Sequence, residues 1–228
     1  MSDVTRVTTF GDLCARARRL AATGGRSLLG ITGPPGAGKS TLARAIVCGI
    51  GDDARLVEMD GFHLSQSRLA ELGRQHRKGA IDTFDGPGFL TLVRRLRYPD
   101  GETIYAPQFR REIDEPVAGT LPIELAATLV VVEGNYLLIP EGPWGKLRAL
   151  LDEVWYCDPG EKHRLGNLIA RHRRYGRSED EARCWAMGPD QRNAELIAAT
   201  RPFAHLIADL SGKSPPTRSP ETTPRVGS

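Results

Sequence analysis

"GPPGAGKST", residues 33–41, is the stretch that decides the fold of this chain. It matches the pattern G-x-x-x-x-G-K-[ST], in which two glycines, a lysine and a serine or threonine hold fixed places. The apolar run "SLLGIT" comes directly before it, and the helix-forming run "STLARAIV" begins near its end. A strand, a glycine-rich loop and a helix in this order predict a phosphate-binding loop in an α/β fold.

Residues 33–41, called the phosphate loop below, are of types that suit a bound triphosphate. Glycines let the backbone curl so that successive N–H groups face phosphate oxygens, and the following helix adds the partial positive charge of its N-terminus. Lys39 is expected to bridge the outer phosphates, and Ser40 to offer its hydroxyl to Mg²⁺. The residues predicted to contact the nucleotide are Gly33, Pro34, Pro35, Gly36, Ala37, Gly38, Lys39, Ser40 and Thr41. The predicted cofactors are ATP and Mg²⁺, and the alternative is a glycine-rich turn without a ligand.

Composition limits the class of protein. The 228 residues are 40% hydrophobic, which is enough for a substantial core in one domain. With 31 basic and 28 acidic residues, the net charge of +3 is too balanced for general affinity for nucleic acid. The cysteines are scattered without a metal or redox spacing, and no apolar run reaches the roughly 18 residues that span a bilayer. We therefore expect a cytoplasmic protein without nucleic-acid or membrane partners.

The rest of the chain alternates strand-like and helix-like patterns. Short apolar runs predict strands at 27–32, 55–59, 128–133 and 153–157. Helical periodicity predicts helices at 10–22, 39–50, 88–96, 144–151 and 161–175. Such alternation indicates a mainly parallel sheet covered on both faces, the three-layer αβα sandwich, with the first helix over one edge of the sheet.

Three segments follow from these patterns. Residues 1–26 contain the N-terminal helix packed on the core, and residues 27–210 form the domain that carries the phosphate loop. The tail at 211–228 is rich in Pro, Ser and Thr and has almost no apolar residue, so it cannot recover its ordering entropy by burial. We expect the tail to be disordered.

A second informative stretch is "LVEMDGFHLSQ" at 56–66, where a strand-like run leads to Asp60. Ligands of parallel α/β sheets bind at the carboxyl ends of the strands, so this carboxylate is expected near the transferring phosphoryl group. There it could accept the proton of an attacking hydroxyl, help to hold the water shell of Mg²⁺, or both; the alternative is a helix cap. Phe62 and His63 are placed to begin a wall for an organic substrate, although His63 alone equally suits an ordinary hydrogen-bonding role.

The run "TLVVVEG" at 128–134 ends the other acidic strand. It has the form of a Walker B element with Glu133 in place of the usual aspartate. Because an unpaired buried charge is costly, a buried strand that ends on a carboxylate indicates a compensating metal ion or hydrogen bonds. Glu133 is therefore predicted to join Ser40 in the Mg²⁺ shell, and an ion pair with a nearby basic residue is the alternative.

Two basic stretches remain. In "RLGNLIARHRRYGR" at 164–177, Arg164 and Arg171 lie close to two full turns apart on one helix face, where they could close over the triphosphate and neutralise developing charge. The segment of about 160–187 is therefore predicted to form a lid. The other stretch, "RQHRKG" at 74–79, suits a solvent-exposed loop or an entrance for an anionic substrate equally well.

These motifs resemble a known group of enzymes, the P-loop kinases that include uridine kinase, phosphoribulokinase and bacterial pantothenate kinase. Within this group the chain is most similar to the bacterial nucleoside/nucleotide kinase family, some members of which are named for fructose transport. The similarity covers residues 28–210 and is carried by "GPPGAGKST", "EMDGFHLS", "KGAIDTFDGPGF", "IYAPQFRREIDEPVAG", "VVVEGNYLL" and "RNAELI". It implies the P-loop NTPase fold with a helical lid, and homodimers as a family-level expectation.

The resemblance also implies roles for single residues. Asp60 matches the general base of these kinases, and His63 falls where relatives carry a substrate-contacting residue. Asp85 matches an aspartate that holds ribose hydroxyls in uridine kinases, and Tyr105 matches a tyrosine of the acceptor pocket.

The lid follows the family pattern in part. Arg164 and Arg171, and less securely Arg177, fall on lid arginines of the family. Asn167 stands where uridine kinases often place another lid arginine, so the grip on the phosphates is expected to be distributed differently.

Two further departures bear on the substrates. Arg110 and Arg111 follow "YAPQF" and suggest an acceptor with negative charge or several hydroxyls. His205 stands where many relatives have an aspartate, near the strand that is expected beside the adenine.

The expected function is that of an ATP-dependent kinase that transfers the γ-phosphoryl group to a hydroxyl of a nucleoside, a sugar or a pantothenate-like alcohol. Such a kinase would use Asp60 as the proton acceptor and the lid arginines to stabilise the transferring group. The alternative is a nucleotide-hydrolysing switch or metallochaperone. The chain has no clear N-K-x-D motif for selecting GTP, which counts against that alternative.

Overall fold

A computed structural model describes residues 4–213 of the chain. Its strands are β1 (Arg6–Val7), β2 (Ser27–Thr32), β3 (Ala54–Glu58), β4 (Ile104–Arg110), β5 (Glu115–Ile123), β6 (Leu129–Glu133), β7 (Glu153–Cys157) and β8 (Leu206–Ala208). Six of them form a parallel sheet in the order β1-β8-β7-β2-β6-β3, and β4 and β5 form a separate antiparallel hairpin. The four predicted strands are confirmed, and the hairpin was not predicted.

The helices within residues 4–213 are α1 (Phe10–Ala21), α2 (Lys39–Ile50), α3 (Gln66–Glu71), α4 (Gly86–Arg97), α5 (Glu161–Arg174), α6 (Glu179–Met187) and α7 (Pro189–Ala198). Side chains of Thr9, Ser65, Asp85 and Ser178 cap the N-termini of α1, α3, α4 and α6. None of these helices is long and apolar enough to cross a membrane.

The sheet is covered on both faces, which confirms the three-layer αβα architecture. Alternate residues of each strand point to opposite faces, so Leu129 and Val131 belong to one core and Val130 and Val132 to the other. The first core packs against α1 and α2, and the second against α4 and the residues that follow β6. The first helix thus lies on a face of the sheet beside α2 rather than over an edge, because its apolar stripe is buried there.

One predicted helix is absent from the described residues. The segment 144–151 forms two short 3₁₀ turns, Trp144–Lys146 and Arg148–Leu150. The ring of Trp144 packs against Phe84, Phe89 and Tyr136 at centroid distances of 5.7–6.3 Å. Packing of this aromatic cluster outweighs the local helical periodicity.

The carboxyl ends of the parallel strands gather the sequence motifs at one edge of the sheet. The phosphate loop follows β2, Glu133 ends β6 beside it, and Asp60 lies in a 3₁₀ turn (Met59–Phe62) directly after β3. The hairpin packs on this turn so closely that a Cβ at Gly61 would lie 2.5 Å from the carbonyl oxygen of Pro107. Of the predicted tail, residues 214–228 lie outside the described part of the chain.

Candidate active site

The phosphate loop presents unpaired backbone donors. Gly38 is in the left-handed region with φ 86°, and α2 begins directly after it. Among residues 4–213, no hydrogen-bond acceptor contacts the N–H groups of Gly36, Gly38, Lys39, Ser40 and Thr41. The Lys39 side chain is only 8% exposed, and its Nζ donates to the carbonyl oxygen of Pro34 at 3.1 Å. This arrangement is a cradle for a polyphosphate.

A buried carboxyl group lies beside the loop. The Ser40 Oγ donates to a carboxylate oxygen of Glu133 at 3.1 Å. Burial raises the pKa of Glu133 to about 7, the Lys39 ammonium opposes that rise, and the Asp60 carboxylate adds to it. Burial also lowers the pKa of Lys39. Ser40 offers a hydroxyl oxygen and Glu133 a carboxylate oxygen, ligand types that Mg²⁺ takes in proteins together with water and substrate phosphates, so these residues fit that ion.

One cavity of about 610 Å³ connects the phosphate loop with the end of β3. Lys39, Ser40 and Glu133 line one end of it, and Asp60 and His63 line the other. The Asp60 side chain is 39% exposed and only loosely paired, with an oxygen 3.6 Å from a guanidinium nitrogen of Arg111 and the other 3.9 Å from His63 Nε2. Asp60 therefore faces space that a second substrate can occupy.

Aromatic rings wall this second end of the cavity. The His63 ring stacks on Phe84 at a centroid distance of 3.9 Å and lies 5.2 Å from the ring of Phe109. Burial lowers the pKa of His63, so its imidazole is neutral near pH 7. The ammonium of Lys78 lies 4.9 Å from the Phe109 centroid and donates to a carboxylate oxygen of Asp114 at 2.9 Å.

Three residues predicted to contact the acceptor do not line this cavity. Asp85 is exposed and accepts the Gly88 N–H at 2.9 Å, which makes it the N-cap of α4. Tyr105 lies on the outer side of the hairpin with 60% of its surface exposed. Arg110 is exposed at the end of β4, whereas Arg111, in the turn that follows, reaches Asp60. The structure does not bring Asp85, Tyr105 and Arg110 to this cavity, and their roles as acceptor contacts stay predictions.

The two predicted lid arginines have different surroundings. Arg171 lines the cavity, together with Tyr175 and Arg177 of the chain that follows. Arg164 is 2% exposed, lies outside that cavity and pairs with Glu161 at 2.7 Å. The two arginines are seven residues apart, which is about 10 Å along the helix axis. They share one face of α5 but lie in different surroundings.

Several cavity residues were not predicted as site residues. The basic stretch 74–79 is divided, because Lys78 lines the cavity while Arg74 and Arg77 pair with Asp82 outside it. The other additions come from α3, from the chain between α3 and α4, from the hairpin and its turn, from the second residue after β6, and from the α5–α7 region. They are Gln66, Gln75, Phe84, Phe109, Asp114, Asn135, His172, Tyr175, Trp185, Asp190 and Asn193. Single-sequence patterns carry no signal for most of them, since distant segments bring them together.

A second cavity of about 380 Å³ lies on the other side of the phosphate loop. It is lined by Pro34, Tyr156, Asp158, Arg164 and Arg201, among others. The phosphate loop thus separates two spaces, one toward Asp60 and one toward β7 and α7.

The relatives found by comparison with known proteins are named as kinases. The chain is 35% identical over 152 residues to an ATP-dependent kinase-like protein of Aspergillus versicolor, covering 63% of this chain and 88% of that protein. It is 34% identical over 180 residues to a "putative uridine kinase" of Schizosaccharomyces pombe, covering 75% and 76%. A crystal structure named as a "putative fructose transport system kinase" from Silicibacter sp. TM1040 superimposes with a TM-score of 0.79 at 32% identity, covering 88% and 99%. No family model matches the chain.

The αβα sheet and the phosphate loop at its carboxyl edge define a P-loop nucleotide-binding protein of the kinase class. The relatives narrow this class further. The chain belongs to the P-loop kinase family that contains the uridine kinases, which confirms the resemblance of its motifs.

Proposed function

We propose that this kinase transfers the γ-phosphoryl group of ATP to a hydroxyl group of a small molecule. The observation that carries the proposal is the single cavity that contains Lys39 at one end and the half-exposed carboxylate of Asp60 at the other. A hydrolase needs room only for water, whereas this cavity extends past Asp60 to the wall formed by His63 and Phe109.

The proposed roles follow from the positions of the side chains. The unpaired N–H groups of the phosphate loop and the Lys39 ammonium hold the phosphates, and Asp60 accepts the proton of the attacking hydroxyl. Arg171 faces the same cavity from α5 and is placed to neutralise charge on the transferring group. Ser40 and Glu133 would hold Mg²⁺, which offsets the negative charge of the phosphate oxygens when it is bound.

The lining of the acceptor end favours a hydroxylated, polar acceptor. Four side-chain amides face the cavity, and each can both donate and accept a hydrogen bond. They are Gln66, Gln75, Asn135 and Asn193. A nucleoside, a sugar or a pantothenate-like alcohol presents several hydroxyl or amide groups to such a lining. Some relatives are named as uridine kinases, which agrees with this class of acceptor.

A panel of acceptors tests the proposal. Purified protein is incubated with ATP, Mg²⁺ and one candidate sugar, nucleoside or alcohol at a time, and ³¹P NMR and mass spectrometry detect a new phosphate ester. The control is Lys39→Ala, which removes the charge that holds the phosphates and should abolish the product. We expect one class of acceptor to give an ester in stoichiometric balance with ADP. If ATP is converted only to ADP and phosphate across the whole panel, the proposal is wrong and a hydrolytic switch is favoured.

A further inference from the structure

Three consecutive carbonyl groups of the phosphate loop are held by side-chain donors. The Lys39 Nζ binds the oxygen of Pro34 at 3.1 Å, from within the loop's own helix. The other two donors come from α5. Arg164 Nη1 donates to the oxygen of Pro35 at 3.3 Å, and Asn167 Nδ2 donates to the oxygen of Gly36 at 3.2 Å.

The direction of these carbonyls decides the direction of the phosphate-binding donors. In a planar trans peptide, the C=O of one residue and the N–H of the next point in opposite directions. Pro34 and Pro35 have no N–H, so Gly36 is the first residue within the central part of the loop that can donate to a phosphate. Arg164 holds the carbonyl of the Pro35–Gly36 peptide and thereby fixes the direction of the Gly36 N–H, which has no other partner among residues 4–213.

The first two turns of α5 are packed directly on the loop. A Cβ at Gly36 would lie 2.5 Å from the carbonyl oxygen of Arg164 and 3.1 Å from the Cβ of Leu168. The buried guanidinium of Arg164 is itself held by Glu161 and by Gln191 of α7. This part of α5 is therefore built into the nucleotide site, and only its later residues, from Arg171 onward, face the larger cavity.

We infer that Arg164 and Asn167 are positioning residues that clamp the two peptide planes on either side of Gly36. Arg164 directs the free Gly36 N–H toward phosphate, and Asn167 holds the Gly36–Ala37 plane, whose own N–H donates to the carbonyl oxygen of Pro34 at 3.1 Å. The inference rests on nucleotide binding at this loop, which is part of the proposed function. It gives Asn167 a role of its own, where the sequence departs from the arginine that uridine kinases often carry. It also gives Arg164 a fixed role in place of the predicted lid role, because the guanidinium is buried and each of its three nitrogens donates a hydrogen bond.

Variants of Asn167 test the inference, because this residue is exposed and its replacement should not impair folding. Asn167→Asp has the same shape but lacks the donor, and Asn167→Ala lacks the donor without adding charge. The matched control is Ala170→Asp, which adds the same charge at an exposed position one turn further along α5. Affinities for ATP and for adenosine are measured by calorimetry, and the melting temperature is measured without ligand.

Both Asn167 variants should bind ATP about fivefold to tenfold more weakly, the range of one lost hydrogen bond, with adenosine affinity and melting temperature unchanged. Ala170→Asp should bind ATP with an affinity within about twofold of the wild type. Measurement at two salt concentrations separates the general repulsion by an added negative charge, which salt screens, from the loss of the hydrogen bond. Steady-state kinetics should show the loss in KM for ATP and not in KM for the acceptor.

Two results would overturn the clamp. One is ATP affinity in Asn167→Ala equal to that of the wild type, with Asn167→Asp no weaker than Ala170→Asp. The other is an equal loss for ATP and adenosine with a lowered melting temperature, which indicates a general structural role. Failure of the wild-type protein itself to bind ATP would instead reject the proposed function, so the two failures are distinguishable.

Discussion

The surroundings of Asp60 suit a proton acceptor. Its oxygens lie 3.6 Å from a guanidinium nitrogen of Arg111 and 3.9 Å from His63 Nε2, so they keep lone pairs for a substrate hydroxyl. His63 is buried and neutral near pH 7, which leaves the negative charge of Asp60 largely available. The carboxylate is placed by the turn after β3, which the hairpin holds through Gly61 and Pro107.

Asp60→Asn should lower kcat by about two to four orders of magnitude, because an amide cannot accept the hydroxyl proton. ATP affinity should change by less than about twofold, since the phosphate loop is untouched. Rapid-quench measurement of ester formation and calorimetric titration with ATP check the two quantities. Asp12→Asn, which alters an exposed carboxylate on α1, is the control. Unchanged turnover of the Asp60 variant would exclude this residue from the chemistry.

Asp85 matches a family motif and also caps a helix. Its carboxylate accepts the Gly88 N–H at 2.9 Å and caps α4. Asp85→Ala should therefore lower the free energy of unfolding by about 1 kcal/mol, whereas Asp85→Asn keeps a capping oxygen and should lower it less. Denaturant unfolding measures both, and KM for the acceptor should stay within about twofold. A large rise in KM in Asp85→Asn, without loss of stability, would restore the acceptor role.

His205, directly before β8, is hydrogen-bonded to Val154 of β7. Its backbone N–H binds the carbonyl of Val154 at 2.8 Å, and its Nδ1 accepts the Val154 N–H at 2.7 Å. The side chain thus supplies a hydrogen bond at the start of β7, where Val154 is fully buried. His205→Ala leaves that N–H unpaired and should cost about 1–3 kcal/mol of stability. His205→Asn retains an acceptor oxygen and should cost less, and denaturant unfolding at pH 8 compares the two.

The same residue makes stability depend on pH. Burial, with help from the Arg148 guanidinium, lowers the pKa of His205 below its usual value of 6.5. The unfolded chain then binds more protons than the folded one, so this contribution is complete above pH 6.5 and is lost as the pH falls below it. When the pH is lowered from about 7 to about 5.5, we expect the melting temperature to fall further for the wild type than for His205→Asn. Parallel pH profiles would contradict this assignment.

The elements differ in how far the sequence predicted them. The strands β2, β6 and β7 agree within one residue of the prediction, because continuous apolar runs are characteristic of strands buried on both faces. The hairpin β4–β5 was missed, since Pro107, Pro116 and its exposed polar residues weaken the strand pattern. That omission explains why the sequence did not predict the exposed positions of Tyr105 and Arg110, which the hairpin sets. Lys39, Asp60 and Glu133 were brought together as expected, because each follows or ends a parallel strand at one edge.

The cavity joins three parts of the whole molecule. The sheet edge contributes the phosphate loop and Glu133, the hairpin contributes Phe109 and Arg111, and the α5–α7 region contributes Arg171 and others. Asn193 of α7 donates to the carbonyl of Gly79 at 3.3 Å, which connects the region predicted as a lid with the basic stretch at 74–79. We therefore expect a nucleotide bound at the phosphate loop to change the surroundings of α6 and α7.

Trp185 offers a direct measurement of that expectation. Of the three tryptophans, Trp144 and Trp155 are buried, whereas Trp185 lines the cavity under the Arg177 guanidinium at 4.0 Å. A bound triphosphate should draw Arg177 toward its own charge and weaken this cation–π contact, so ATP with Mg²⁺ should change the tryptophan emission. Trp185→Phe should remove most of that change while calorimetry still detects ATP binding, and Lys39→Ala should show neither signal. If Trp185→Phe keeps the full emission change, the nucleotide acts on a buried tryptophan instead, and the coupling between the phosphate loop and α6 does not exist.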